Sequence, residues 1–186
     1  MRIISGNFKG KKILQPRDQA TRPLKDLTKE SIFNIIKHTK KFNIELSNSK
    51  VLDLFSGVGS FGLECLSRGS SHLIFVENYK EVLPILKRNI KDINCVEKST
   101  IIEKDIIKNF NFSLIKERMD IIFMDPPYKE KNLSELLTKI ATSNILNPQG
   151  IIIIHRHKKE IDSFPENFKI LEAKVYGISK VIFGCF

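Results

Sequence analysis

Cysteine is scarce in this 186-residue chain. Cys65, Cys95 and Cys185 are far apart and match no metal-ligand or disulfide spacing, so they read as small buried apolar residues in a reducing, cytoplasmic setting. No apolar run is long enough to span a bilayer, the purest being residues 151–154, and a soluble protein is expected. Internal repeats and low-complexity linkers are also absent, and this length predicts one domain with no room for a second catalytic unit. Histidine is sparse. His155 and His157 form an i, i+2 pair without a third ligand, so they read as a solvated basic edge and no metal is expected; His38 and His72 carry no signal. Acidic residues fall short of basic ones, leaving a net charge of +10. The excess is uneven: residues 1–41 hold eleven Lys/Arg against three Asp/Glu, the rest of the chain twenty against eighteen. A polyanion would meet the N-terminal segment first.

From residue 50 onward, short β-branched runs at 50–54, 72–76, 100–103, 119–124 and 150–155 alternate with amphipathic stretches. That is the pattern of an α/β domain with a largely parallel sheet. Val82, Leu83, Leu86, Ile90 and Ile93 share one helical face, as do Leu133, Leu136, Leu137 and Ile140. Asn78 with Glu81 reads as a capping box, but Pro84 then sits too deep and predicts a delayed start or a kink. Residues 168–176 and 179–186, separated by a turn at Gly177, predict a hairpin that ends the sheet antiparallel. Before residue 50, runs at 2–5 and 11–14 suggest another hairpin, and Ile32, Ile35 and Ile36 a helix over 26–40.

The first strand runs into DLFSGVGSFG, residues 53–62, a G-x-G-x-x-G between strand and helix. Gly57 and Gly59 permit a tight turn and close approach of a ligand, and Gly62 permits close helix packing. Glu77, twenty residues past Gly57, is placed to accept from ribose hydroxyls. A dinucleotide enzyme fits to this point, but Asp53 at the loop's mouth would repel a pyrophosphate. It suits the ammonium of a methionine moiety, so the loop reads as one for S-adenosylmethionine. Asp105 is placed to accept from an adenine amine or to cap a helix.

The strand at 121–124 delivers Asp125-Pro126-Pro127-Tyr128 at the carboxyl end of the sheet. Two prolines fix two φ angles and extend their predecessors, which makes a rigid, carbonyl-presenting arm. Acceptors at Asp125 Oδ and the Pro126 carbonyl would pyramidalise an exocyclic base amine and aim its lone pair at a methyl donor, while Tyr128 would stack on the extruded base. The plain alternative is a turn after a strand.

These residues resemble the RsmD-type guanine-N2 methyltransferases of 16S ribosomal RNA, over nearly the whole chain. The anchors are RIISGNFKGKKI at 2–13, Thr21-Arg22-Pro23 with Asp26, Glu30, Phe33 and Asn34, DLFSGVGSFGLE at 53–64 with LSRG at 66–69, Glu77, Asn89, the Asp-Pro-Pro-Tyr element, and YGISKVIF at 176–183. The resemblance implies a Rossmann-like class I fold, a seven-stranded, mostly parallel sheet with a reversed last strand. A basic hairpin-and-helix extension at 1–48 would precede a catalytic core at 49–186. It places S-adenosylmethionine against Asp53, Phe55, Ser56, Gly57, Gly59, Glu77, Asn78, Asp105, Ile106 and Asp125, the base against residues 125–128, and RNA against Arg2, Lys9, Lys11, Lys12 and Arg22. It further implies a cytoplasmic monomer acting on an assembled or partly assembled 30S subunit. Ser5, Leu24, Leu27 and Lys29 depart from the family's usual glycine, threonine and two arginines, which bears on phosphate contacts. Three other readings compete: an adenine-N6 methyltransferase, an NAD-type oxidoreductase, and a non-catalytic RNA-binding assembly module.

Overall fold

The computed structural model describes residues 1–16, 24–108, 110–127 and 130–186. Seven strands form one sheet: β1 (Lys50–Leu54), β2 (His72–Val76), β3 (Ser99–Ile102), β4 (Met119–Met124), β5 (Leu146–His157), β6 (Lys169–Tyr176) and β7 (Ser179–Cys185). Their order is β3-β2-β1-β4-β5-β7-β6. Strands β1 to β5 pair in parallel, and β7 enters antiparallel between β5 and β6. This is the expected Rossmann-like α/β sheet with its reversed last strand.

Residues 121–124 and 151–154 are buried throughout, because a central parallel strand is covered on both faces and therefore reads as a continuous apolar run. Strand parity divides the core. Val51, Ile121, Phe123, Ile151 and Ile153 pack with α1 (Asp26–His38), α2 (Ser60–Ser67) and α3 (Leu83–Asp92), while Leu52, Leu54, Ile122, Met124, Ile152 and Ile154 pack with α4 (Leu133–Ser143). A stack of Phe33, Phe61 and Phe123, with centroids 5.2 and 4.0 Å apart, joins α1, α2 and β4. Chain winding reverses between β1 and β4, so their carboxyl ends open on the crevice where such sheets hold ligands.

Some boundaries differ from expectation. The Asn78–Glu81 capping box does not form: the helix begins at Leu83 with Pro84 in its first turn, the delayed start that a missing N–H permits. The Asn78 N–H instead donates to Glu77 Oε1 at 2.8 Å. Strand β5 runs past both ends of the 150–155 run, pairing Leu146 with Met119 and His157 with Ser179. The first hairpin is reduced to one bridge, Arg2 with Lys12, supported by Ile3 N–H donating to the Lys11 carbonyl at 2.9 Å.

What holds that hairpin is a buried polar seat. Glu64, fully buried in α2, accepts from the Ile4 and Ser5 N–H groups at 2.8 and 2.9 Å and from Arg68 Nε at 2.9 Å. Lys29, also fully buried, donates to the Arg2 carbonyl at 2.8 Å and lies 3.6 Å from Glu64. Burial pulls its ammonium below the ordinary lysine range, with Glu64 and Asp26 opposing the shift. The departure at Lys29 therefore concerns an internal ion pair rather than a phosphate contact. Gly6, at φ +81°, lies so close that a Cβ would stand 1.9 Å from the Ser67 carbonyl oxygen. Farther along, Asn89 accepts from Leu14 N–H at 2.8 Å and donates to the Leu14 and Val58 carbonyls.

Candidate active site

The chain leaves β1 through a strained loop. Phe55 takes φ +61°, Gly57 +54° and Gly59 +85°, and a positive φ at a phenylalanine persists only where its surroundings enforce it. Ser56 does the enforcing, its Oγ donating to the carbonyls of Asp53 at 2.6 Å and Val76 at 3.1 Å. Gly62 is where helix meets strand, since a Cβ there would lie 2.4 Å from the Phe75 ring.

Asp53 is 1% exposed. Its Oδ2 accepts from Gly62 N–H at 3.1 Å, in the first turn of α2, and its Oδ1 is buried with no partner among the described residues. Burial pushes its carboxyl well above the usual range; the Gly62 hydrogen bond opposes this, and the nearby Asp125 and Glu77 add to it. Three carboxylates clustered about a buried, unpartnered oxygen favour a ligand with positive charge and disfavour a diphosphate.

Glu77 is more occupied than expected. Its Oε2 accepts from Gly57 N–H at 2.7 Å and its Oε1 from the Asn78 and Tyr79 N–H groups at 2.8 Å. A carboxylate offers about four acceptor positions, so one remains for a hydroxyl. Asp105 begins a turn rather than a helix, its Oδ1 accepting from Ile107 N–H at 2.9 Å and Lys108 N–H at 3.2 Å; the neighbouring Ile106 is buried.

Asp125 follows β4, with its N–H on the Leu54 carbonyl at 3.4 Å. Its Oδ1 lies 2.8 Å from Nδ1 of His155. This corrects the reading of His155 as part of a solvated edge, because the residue is only 6% exposed. The next residue, Arg156, is 2% exposed; Nη1 donates to the Pro127 carbonyl at 3.2 Å, Nη2 to the Glu130 carbonyl at 2.9 Å, and Nε to Asp162 at 2.8 Å. Both touch the candidate site, and sequence reasoning missed them. Arg156→Met should cost about 3 kcal/mol, because it strands the buried Asp162 and two carbonyls. Denaturant unfolding would measure it, and a loss below about 1 kcal/mol would show Lys180, 3.1 Å from Asp162, to suffice.

The structure thus brings together Asp53, Phe55, Ser56, Gly57, Gly59, Glu77, Asn78 and Asp125, with Pro126 and Pro127 on the adjoining arm. Tyr128 and Arg22 lie outside the described residues. Arg2, Lys9, Lys11 and Lys12 sit on the exposed hairpin, where Lys11 Nζ donates to the Asp92 carbonyl at 3.0 Å.

The chain is similar to several known proteins. The family described as "Conserved hypothetical protein 95" matches residues 1–184. "Putative rRNA methyltransferase YlbH" of Bacillus subtilis is 34% identical over 185 residues, covering 97% of this chain and 96% of the relative. "Ribosomal RNA small subunit methyltransferase D" of Haemophilus influenzae is 29% identical over 183 residues, covering 96% and 90%. Among solved structures, "Putative methyltransferase yhhF" from Escherichia coli shares the fold with a TM-score of 0.80 at 23% identity, covering 99% of this chain and 96% of that one.

Proposed function

The chain belongs to this family of RsmD-type methyltransferases, and on that footing we propose that it methylates the exocyclic N2 amine of a guanine in 16S RNA within an assembled or partly assembled 30S subunit. Its activity is ribosomal RNA methylation with S-adenosylmethionine as methyl donor. The residues fit that donor: the unpartnered Asp53 Oδ1 lies in the carboxylate-lined mouth, where an ammonium would supply its missing partner. When bound, the cofactor supplies a methyl group on a sulfonium whose leaving group is a neutral thioether.

The observation that carries the reading is Asp125 at the end of β4, held from one side by His155 and continued by an arm whose Pro127 carbonyl is pinned by Arg156. In this reading Asp125 and the Pro126 carbonyl accept the two amine hydrogens, so the nitrogen lone pair points into the crevice. No strong base need act before transfer. Catalysis comes mainly from alignment, and Asp125 can take the surplus proton afterwards. Tyr128 is proposed to stack on the extruded base, a contact worth about 1–3 kcal/mol.

The test incubates the protein with labelled S-adenosylmethionine and either 30S subunits, free 16S RNA or duplex DNA, then identifies the modified nucleoside. Label in N2-methylguanine of ribosomal RNA is expected. Label confined to DNA, or to N6-methyladenine, would refute the proposal.

RNA is assigned to the exposed hairpin. Reversing the charge of Lys9, Lys11 and Lys12 should weaken RNA binding and lower its salt dependence by about two to three log units per log unit of salt. The smaller figure is the expectation if Lys11 remains on Asp92. An unchanged slope in salt-titrated binding would move the RNA site elsewhere.

A further inference from the structure

Strand β5 presents Ile151, Ile153 and His155 in succession on the face that carries Asp53 and Asp125. The first two are fully apolar and buried, so an aliphatic side chain would continue the row. An imidazole stands there instead. Its Nδ1 contacts Asp125 Oδ1 at 2.8 Å, while its Nε2 is buried with no partner among the described residues. A buried, unsatisfied nitrogen is a cost that packing alone does not explain.

Parallel pairing of β4 with β5 sets Met124 beside Ile154, so Asp125 and His155 are the next pair in register. An ionised carboxylate only accepts hydrogen bonds, so Nδ1 carries the proton and donates. We propose that His155 is a positioning residue for methyl transfer: its Nδ1–H occupies Asp125 Oδ1 and fixes the carboxylate plane, leaving Oδ2 aimed at the substrate amine. This rests on the amine-holding role proposed for Asp125. Arg156 faces the opposite way and pins the Pro127 carbonyl, so consecutive β5 residues set both the carboxylate and the arm that follows it.

Without the imidazole, the carboxylate is free to turn about its last side-chain torsion and the amine loses a fixed acceptor. Such a residue acts on the turnover step more than on binding. The test compares wild type with His155→Leu, His155→Gln and His155→Asn in the labelled 30S assay, alongside melting temperature and calorimetric binding of S-adenosylhomocysteine. Leucine suits the apolar row but removes the donor. Glutamine places its amide near Nε2, and asparagine places its amide near Nδ1.

The leucine and glutamine variants should lose about 10- to 100-fold in kcat, with KM for the subunit and S-adenosylhomocysteine affinity within about threefold. Asparagine should recover kcat to within about fivefold of wild type. If leucine fails to fold, the contrast between asparagine and glutamine decides. A leucine variant with kcat within about twofold of wild type, a loss confined to KM or cofactor binding, or asparagine no better than glutamine would overturn the proposal. Wild-type protein that leaves 30S subunits unmethylated would instead sink the parent reading, and this proposal with it.

Discussion

Asp125→Ala should lower methyl transfer about 10²- to 10³-fold and leave the sheet intact. The expectation follows from what the carboxylate can do in its place. Its backbone is tied to Leu54 and its Oδ1 to His155, so one oxygen is already oriented before any substrate arrives. An exocyclic amine is a weak nucleophile because its electrons are shared with the ring, and a fixed acceptor on its N–H is what makes the lone pair available. Alanine removes that acceptor and orphans the His155 donor, a structural cost of about 1–3 kcal/mol that should appear as a modest drop in melting temperature. Asp125→Asn would keep an acceptor for His155 and lose less of the fold's stability. Single-turnover kinetics on 30S subunits would measure the chemical step, and an alanine variant retaining more than about a tenth of wild-type rate would remove the amine-holding role.

Asp53→Asn should have opposite effects on stability and on cofactor binding. Burial, opposed by the Gly62 hydrogen bond and joined by two neighbouring carboxylates, raises the folded-state pKa of Asp53 well above its ordinary value of 3.8. A carboxyl shifted upward contributes stability that is fully present below the unfolded value and is lost as pH rises through the folded value. Near neutral pH the cofactor-free protein therefore carries this group at a cost, and asparagine removes the cost. The variant's melting temperature should exceed wild type at about pH 7.5 and converge on it toward about pH 4. Affinity for S-adenosylmethionine should meanwhile fall on the order of 10²-fold, because the ammonium loses its buried counter-charge. Lower stability near neutral pH, or unchanged cofactor affinity, would show that Asp53 serves only the Gly62 turn. A site residue that destabilises the empty protein is a common exchange of stability for function.

The elements legible in the sequence are those whose physics is local. Strands β1, β2 and β4 have the expected bounds because burial on both faces makes most of their positions apolar, with Asp53 and Asp120 the acidic exceptions. The glycine loop declares itself because Gly57, Gly59 and Gly62 mark a positive-φ turn and a close helix contact. Asp125-Pro126-Pro127 is visible as a stiff arm from its prolines. Residues whose roles depend on distant partners are not legible. His155 and Arg156 lie in a run that reads HRHKKE, and nothing local distinguishes a solvated edge from a buried pair; parallel register with β4 decides it. Lys29 and Glu64 are far apart in the chain, and only the docking of α1 on α2 makes them an ion pair. The Asn78–Glu81 capping box fails because the Glu77 carboxylate takes the N–H groups that would begin such a helix. At Asp105, the backbone of its own turn occupies Oδ1, a contact set by the path of the chain after β3.

Asn89 bears on how such an enzyme is inherited. One amide group grips Leu14 of the leading segment and Val58 of the cofactor loop, while Glu64, Lys29 and Ser67 hold the residues before it. Cutting away the residues up to Leu14 would strip four polar side chains of the remaining body of the partners they have in that segment. The leading segment is thus no interchangeable attachment. A related transferase could not gain it by fusion alone, since the receiving surface must change at four separated positions, and the leading segment and the body that carries the candidate active site must change together.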